Sequence, residues 1–196
     1  LHDPSQALPD AEKIRYAQNV TSGLNYLHSR HIVHRDLKSL NVLLDHRQPR
    51  RAKLSDFGLA RLKAQTGSKM YLGEAKGSVL WMAPELFRLQ APYTQYSDVY
   101  SYAMTLWEIA SRQIPYQATH DHQVIIAAVK SGEREQIPAG TPTVLRQIIE
   151  DCWIAEPKDR PVMSELLLKL QGIKRGVASP DVSISFAENL MSRGNL

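Results

Sequence analysis

Apolar residues recur at spacings of three and four after Pro9: Ile14, Ala17, Val20, Leu24 and Leu27. The period predicts an amphipathic helix running from Asp10, its candidate N-cap, to about Ser29. Two short β-like runs follow, Asn41 to Leu44 and Ala52 to Leu54, joined through the polar turn "DHRQPR". Residues 58–78 mix glycines, lysines and hydroxyls without periodicity, which predicts a mobile loop. From Ser97-Asp98 to Ala110 the pattern changes. Val99, Ala103, Met104, Leu106, Trp107, Ile109 and Ala110 cover more than one helical face, as a helix buried in a core requires. "HDHQVIIAAVKSG" predicts another helix, closed by Gly132. "TPTVLRQIIEDCW" and "RPVMSELLLKL" predict two more, each with proline placed early. Residues 172–196 lose the period and gain Ser, Gly and Asn, which predicts a flexible tail. The expected fold is mainly α with a small β-hairpin region and one long loop.

Composition narrows the class without changing this picture. The 196 residues are enough for one domain with a sizeable core. Hydrophobic residues make up 43% and charged residues 22%, ordinary for a globular protein. The net charge of +4 comes from mixed signs, with no basic run longer than Arg50-Arg51, so no nucleic-acid partner is expected. No apolar stretch is long enough to span a membrane, and the first ten residues lack the pattern of a signal peptide. A cytoplasmic location is the expectation. The single cysteine, Cys152, excludes an internal disulfide and reads as a small core residue. The chain begins with Leu rather than Met, which fits a fragment of something longer.

The stretch "HIVHRDLKSLNVLL", His31 to Leu44, carries the chemistry. Phosphoryl transfer needs a carboxylate for the attacking hydroxyl, oxygen ligands for Mg²⁺ and cations for phosphate charge. Asp36 supplies the carboxylate, Lys38 a cation, and Asn41 an amide oxygen. "SDFGLAR" adds Asp56, and hard Mg²⁺ suits Asn41 and Asp56. "WMAPE" follows, ending at Glu85. Singly, each motif is weak: an isolated Asp is usually a surface carboxylate, and Asn41 alone is a turn cap. His34 reads as a packed core histidine, and His28 and His31 as helix-end residues. His120 and His122 read as a solvated turn, since no third metal ligand accompanies them. The ordered set H-R-D-L-K-x-x-N, D-F-G and A-P-E is far harder to reach by chance.

In this set the sequence resembles the C-terminal lobe of a eukaryotic-type protein kinase, over residues 9–171. "SDVYSYAMTLWEI" and "CWIAEPKDRP" extend the likeness. The resemblance implies a catalytic loop at 34–41 and an activation segment at 56–85, with residues 1–8 ending an interlobe segment. It implies Asp36 as catalytic base, Lys38 against the transferred phosphate, and Asn41 and Asp56 as metal ligands, with ATP and Mg²⁺ as cofactors. Leu43 would lie under the adenine. Arg35 would meet a phosphorylated loop, with Thr66, Ser68 and Tyr71 as acceptors. His34 and Phe57 would belong to a packed spine, Glu85 would pair with Arg160, and Asp98 would bond the catalytic-loop backbone. Ser78, where Thr is usual, keeps a hydroxyl able to bond Asp36. Lys38-Ser39-Leu40 favours Ser/Thr specificity, because tyrosine kinases usually carry Ala-Ala-Arg or Arg-Ala-Ala there. "WMAPE" and "SDVYSYAMTLWE" are nonetheless similar to tyrosine kinases. The mixture resembles the tyrosine-kinase-like group, which includes Raf and the mixed-lineage kinases.

A nucleotide clamp is not seen upstream. Before Asp36 there is one glycine, Gly23, and one lysine, Lys13, both inside the first predicted helix. The resemblance therefore implies that the N-terminal β lobe, with its Gly-rich loop and strand lysine, is absent from this sequence. The expected function is a partial catalytic domain of a Ser/Thr kinase acting on protein substrates. The alternative is a stand-alone C-lobe serving as a binding or scaffold module. The intact Asp36, Asn41 and Asp56 favour the first.

Overall fold

Twenty residues, Asp10–Ser29, form α1 in the computed structural model, which describes residues 1–2, 7–46, 49–56 and 78–174. Asp10 is not the cap. Pro9 holds that position, and its carbonyl accepts the amides of Glu12 and Lys13. Asp10 lies inside the first turn with Glu12, where negative charge favours the N-terminal end of the helix dipole. The periodic residues Ala17, Val20, Leu24 and Leu27 are buried, as the spacing predicts.

After α1 the chain turns through a 3-10 segment, Ser39–Asn41, into β1, Val42–Leu44. Asn41 thus belongs to the turn rather than to the strand. β1 pairs antiparallel with β2, Ala52–Leu54, in the register Val42–Leu54, Leu43–Lys53, Leu44–Ala52. The hairpin packs on α1. Gly23 permits the close approach: a Cβ there would stand 3.1 Å from Leu54 Cδ1.

The apolar run becomes α2, Gln95–Ser111, which begins earlier than Ser97 because Thr94 caps it. Thr94 and Ser97 form a reciprocal capping box, each side chain bonding the other's backbone amide. α2 is buried nearly all round and serves two cores. Val99, Tyr102 and Leu106 pack with α1, with α4 (Thr143–Cys152) and with α5 (Met163–Lys174). Tyr100 and Met104 pack against the 3-10 turns Val79–Trp81 and Pro84–Phe87 and against α3, His122–Ser131. Asp121 caps α3, and Gly132 closes it at φ 94°, a left-handed position that suits glycine.

Pro142 stands at the N-cap of α4, and Pro161 lies before Met163, so both prolines precede their helices rather than entering them. α5 runs to Lys174, three residues into the stretch expected to be tail. The rest of that tail, Phe57, and 58–77 of the expected mobile loop with Thr66, Ser68 and Tyr71, lie outside the described residues. Cys152 is buried in the core, and burial pushes its thiol pKa up, away from reactivity. No helix among the described residues is long and apolar enough to cross a membrane.

Candidate active site

The Asp36 carboxylate sits at the centre of a closed polar cluster. Its Oδ1 accepts the Ser78 hydroxyl at 2.6 Å, and its Oδ2 lies 2.9 Å from Lys38 Nζ. Lys38 Nζ also donates to Ser78 Oγ at 2.8 Å. Asn41 Nδ2 donates to the Asp36 carbonyl at 2.7 Å and to Oδ2 at 3.0 Å. Ser78 reaches this cluster across 42 residues of chain. One hydroxyl is thereby held between a carboxylate and an ammonium, with the carboxylate within the reach a general base needs.

The loop carrying Asp36 is bent against its preferences and anchored accordingly. Arg35 has φ 71°, in the left-handed region, where a non-glycine residue costs of order 1–3 kcal/mol. Asp98 on α2 holds this shape. Its Oδ1 accepts the Arg35 amide at 2.9 Å, and its Oδ2 accepts the His34 amide at 2.7 Å. His28 Nε2, in the last turn of α1, lies 2.9 Å from the same Oδ2. His28 does end a helix, as expected, but it is buried and bonded rather than merely terminal. His31 follows at φ 58°, just past α1. Asp98 itself is 2% exposed.

His34 is fully buried, and its Nε2 lies 3.1 Å from the Ser55 carbonyl. Burial pushes the imidazole pKa down, partly opposed by the Asp98 charge, so the ring favours the neutral form. Tyr93 is also in this field. Burial, with the negative charges of Asp36 and Asp98, pushes its phenol up to about 12.

The Asn41 carbonyl accepts both the amide and the hydroxyl of Ser55, at 2.9 and 3.2 Å, which ties the catalytic-loop end to β2. Asp56 follows directly, exposed and at φ 60°. Both Nδ2 contacts of Asn41 go to Asp36, and its side chain also carries an oxygen. That oxygen and the Asp56 carboxylate are hard donors suited to Mg²⁺. Leu43 is 56% exposed on β1. A cleft of about 340 Å³ opens beside the cluster, lined by Leu8, Tyr16, Ser39, Leu40, Val42 and Ile109 among others. Asp36, Lys38 and Asn41 do not line it.

Farther out, Glu85 and Arg160 form a two-pronged ion pair, both contacts at 2.8 Å. Arg160 also donates to the carbonyls of Tyr96, Ile154 and Ala155, and its guanidinium lies over the Tyr100 ring. His120 and His122 are exposed, and no group of three candidate metal ligands exists among the described residues. The sequence reading passes over Glu108, which is buried on α2 and accepts from Ser39 and Trp81. Its signal is a carboxylate set inside an apolar run.

A family profile for protein tyrosine and serine/threonine kinases matches residues 1–170, and the chain belongs to the protein kinase family. Its relatives place it in the tyrosine-kinase-like group. It is 35% identical over 181 residues to the serine/threonine-protein kinase STY17 of Arabidopsis thaliana, covering 92% of this chain and 31% of that one. It is 38% identical over 179 residues to the serine/threonine-protein kinase CTR1 of the same plant, covering 89% and 21%. It is 32% identical over 199 residues to the serine/threonine-protein kinase A-Raf of Sus scrofa, covering 98% and 32%. The chain thus spans about a fifth to a third of the length of these curated relatives.

Proposed function

We propose that this chain is the C-terminal lobe of a serine/threonine protein kinase that transfers the γ-phosphoryl group of ATP to protein hydroxyls. The Ser78 hydroxyl, bonded to Asp36 at 2.6 Å and to Lys38 at 2.8 Å, carries this reading. It marks where a substrate hydroxyl would be received. Asp36 takes the proton as that hydroxyl attacks. Lys38 stabilises charge on the transferred group, and Asn41 orients Asp36 through its amide. Asn41 and Asp56 would hold Mg²⁺, which offsets phosphate charge when bound. Leu43 offers the apolar surface on which an adenine would rest, and Arg35 a cationic partner for a phosphate on Thr66, Ser68 or Tyr71. Serine/threonine preference is supported by Lys38 and by the names of STY17, CTR1 and A-Raf, whereas shkD of Dictyostelium discoideum is named a dual specificity kinase.

The test is the complete kinase that carries this lobe, with an N-terminal β lobe as partner. Asp36→Asn is expected to lower transfer at least about a thousandfold while nucleotide binding stays within a few fold. Asp56→Asn is expected to lose transfer together with Mg²⁺ dependence. Substantial turnover in either variant would refute the assignment.

A further inference from the structure

Arg50, Arg51 and Lys53 place three cations within four residues of the β1–β2 hairpin, and all three are exposed. Among the described residues, no carboxylate lies within ion-pair distance of any of them. Two neighbouring acids are turned to other partners. Asp45 directs its Oδ1 to the Arg51 backbone amide at 2.9 Å. Glu12 gives one oxygen to Arg15 at 3.0 Å and the other to the Tyr16 hydroxyl at 3.1 Å. The hairpin therefore presents positive charge in excess, whereas Lys13, Arg146 and Lys169 on the helices each face an acid.

The backbone beneath these side chains is fixed. Asp45 N–H donates to the Arg51 carbonyl at 3.0 Å, and Arg15 Nε donates to the Arg50 carbonyl at 3.0 Å. The Ala52 amide donates to Asn19 Oδ1 at 3.0 Å. A ligand would thus order side chains only, which lowers the cost of binding. Charge on a strand edge guards against unwanted pairing, and Lys53 serves that end. Arg50 and Arg51 precede β2, so edge protection does not account for them. Arginine fits carboxylates with paired N–H donors. Leu44, 44% exposed, lines the same cleft as Arg50 and offers an apolar contact beside the charges. A nucleic-acid backbone has no use for that contact. A broad anionic bilayer would bring its charge against Glu12, which lines the cleft and joins the hairpin through Arg15. A narrow strip of carboxylates with an apolar residue among them meets both conditions.

We infer that Arg50, Arg51 and Lys53, with Leu44 beside them, form a docking surface for an acidic segment of a protein partner. Neither the surface nor its test involves Asp36 or phosphoryl transfer.

Fluorescence anisotropy of the 196-residue chain tests it, the probe being a labelled peptide of repeated Glu-Glu-Leu triplets. Arg50→Glu with Arg51→Glu is expected to weaken binding at least about tenfold, and Leu44→Ser about threefold. Lys130→Glu with Lys158→Glu makes the same change in net charge at exposed positions elsewhere, and is expected to stay within about twofold of wild type. A peptide of Gln-Gln-Leu triplets is expected to bind at least about tenfold more weakly than the acidic one. If the arginine double reversal does not fold, Lys53→Glu alone is expected to weaken binding about threefold. Equal losses from the two double reversals would show attraction to net charge alone and overturn the surface. Binding that ignores the exchange of Glu for Gln in the peptide overturns it as well. Tighter binding to phosphatidylserine vesicles or to duplex DNA than to the peptide overturns the choice of partner.

Discussion

His34 and Arg160 are both buried basic side chains, and their surroundings treat them in opposite ways. His34 has little access to water, and burial holds its folded pKa below the ordinary value of 6.5 against the opposing pull of Asp98 and the Ser55 carbonyl. A depressed histidine binds its proton more readily in the unfolded chain. Its contribution to stability is therefore intact above the unfolded value and declines as pH falls through it. His34→Phe is expected to lessen the drop in urea midpoint between about pH 7 and pH 5, where unperturbed histidines titrate. An unchanged pH slope would show that other groups set it. Arg160 is instead surrounded by acceptors: Glu85 on two nitrogens and three carbonyls besides. Removing it strands the Glu85 carboxylate and three carbonyls. Arg160→Ala is expected to cost ~3–5 kcal/mol. A denaturation midpoint equal to wild type would contradict that.

At the scale of elements, the helices were readable because each buries a face with a 3.6-residue period. Ala17, Val20, Leu24 and Leu27 of α1, and the all-round apolar α2, needed only spacing. Helix starts were less readable, since local polar bonds decide them. Pro9 took the place expected of Asp10, and Thr94 drew α2 back beyond Ser97. Thr94→Ala is expected to lower stability by about 1 kcal/mol through loss of the Ser97 amide bond, read as a shifted thermal midpoint. The candidate site was readable as residue types in order, because Asp36, Lys38 and Asn41 lie within one loop. Its ties were not. Ser39 meets Trp81 only through Glu108 on α2, and no local pattern relates three positions so far apart.

At the scale of the whole molecule, the turn and strand after α1 leave large apolar side chains open. Leu40 is 72% exposed and Leu43 56%, with Leu44 also open beside them. Exposed leucines on so short a segment favour association. Leu40→Glu with Leu43→Lys is expected to shift the 196-residue chain toward monomer, measured by sedimentation at several concentrations. If Leu43 receives the adenine as proposed, Mg-ATP is expected to bind this chain no better than about millimolar, roughly 4 kcal/mol, by calorimetric titration. Micromolar affinity would mean that these residues alone suffice.

Asp98 gives the architecture a timetable. It stands 64 residues after His34, whose amide it receives, and 63 after Arg35. At roughly 5–20 residues per second of synthesis, the loop bearing Asp36 leaves the ribosome about 3–13 s before its anchor does. During that interval nothing local holds Arg35 in its left-handed conformation. The chemistry-bearing turn thus gains its anchor only when α2 docks. A nascent chain halted before Asp98 would carry every residue of the H-R-D-L-K-x-x-N motif without the carboxylate that receives its His34 and Arg35 amides.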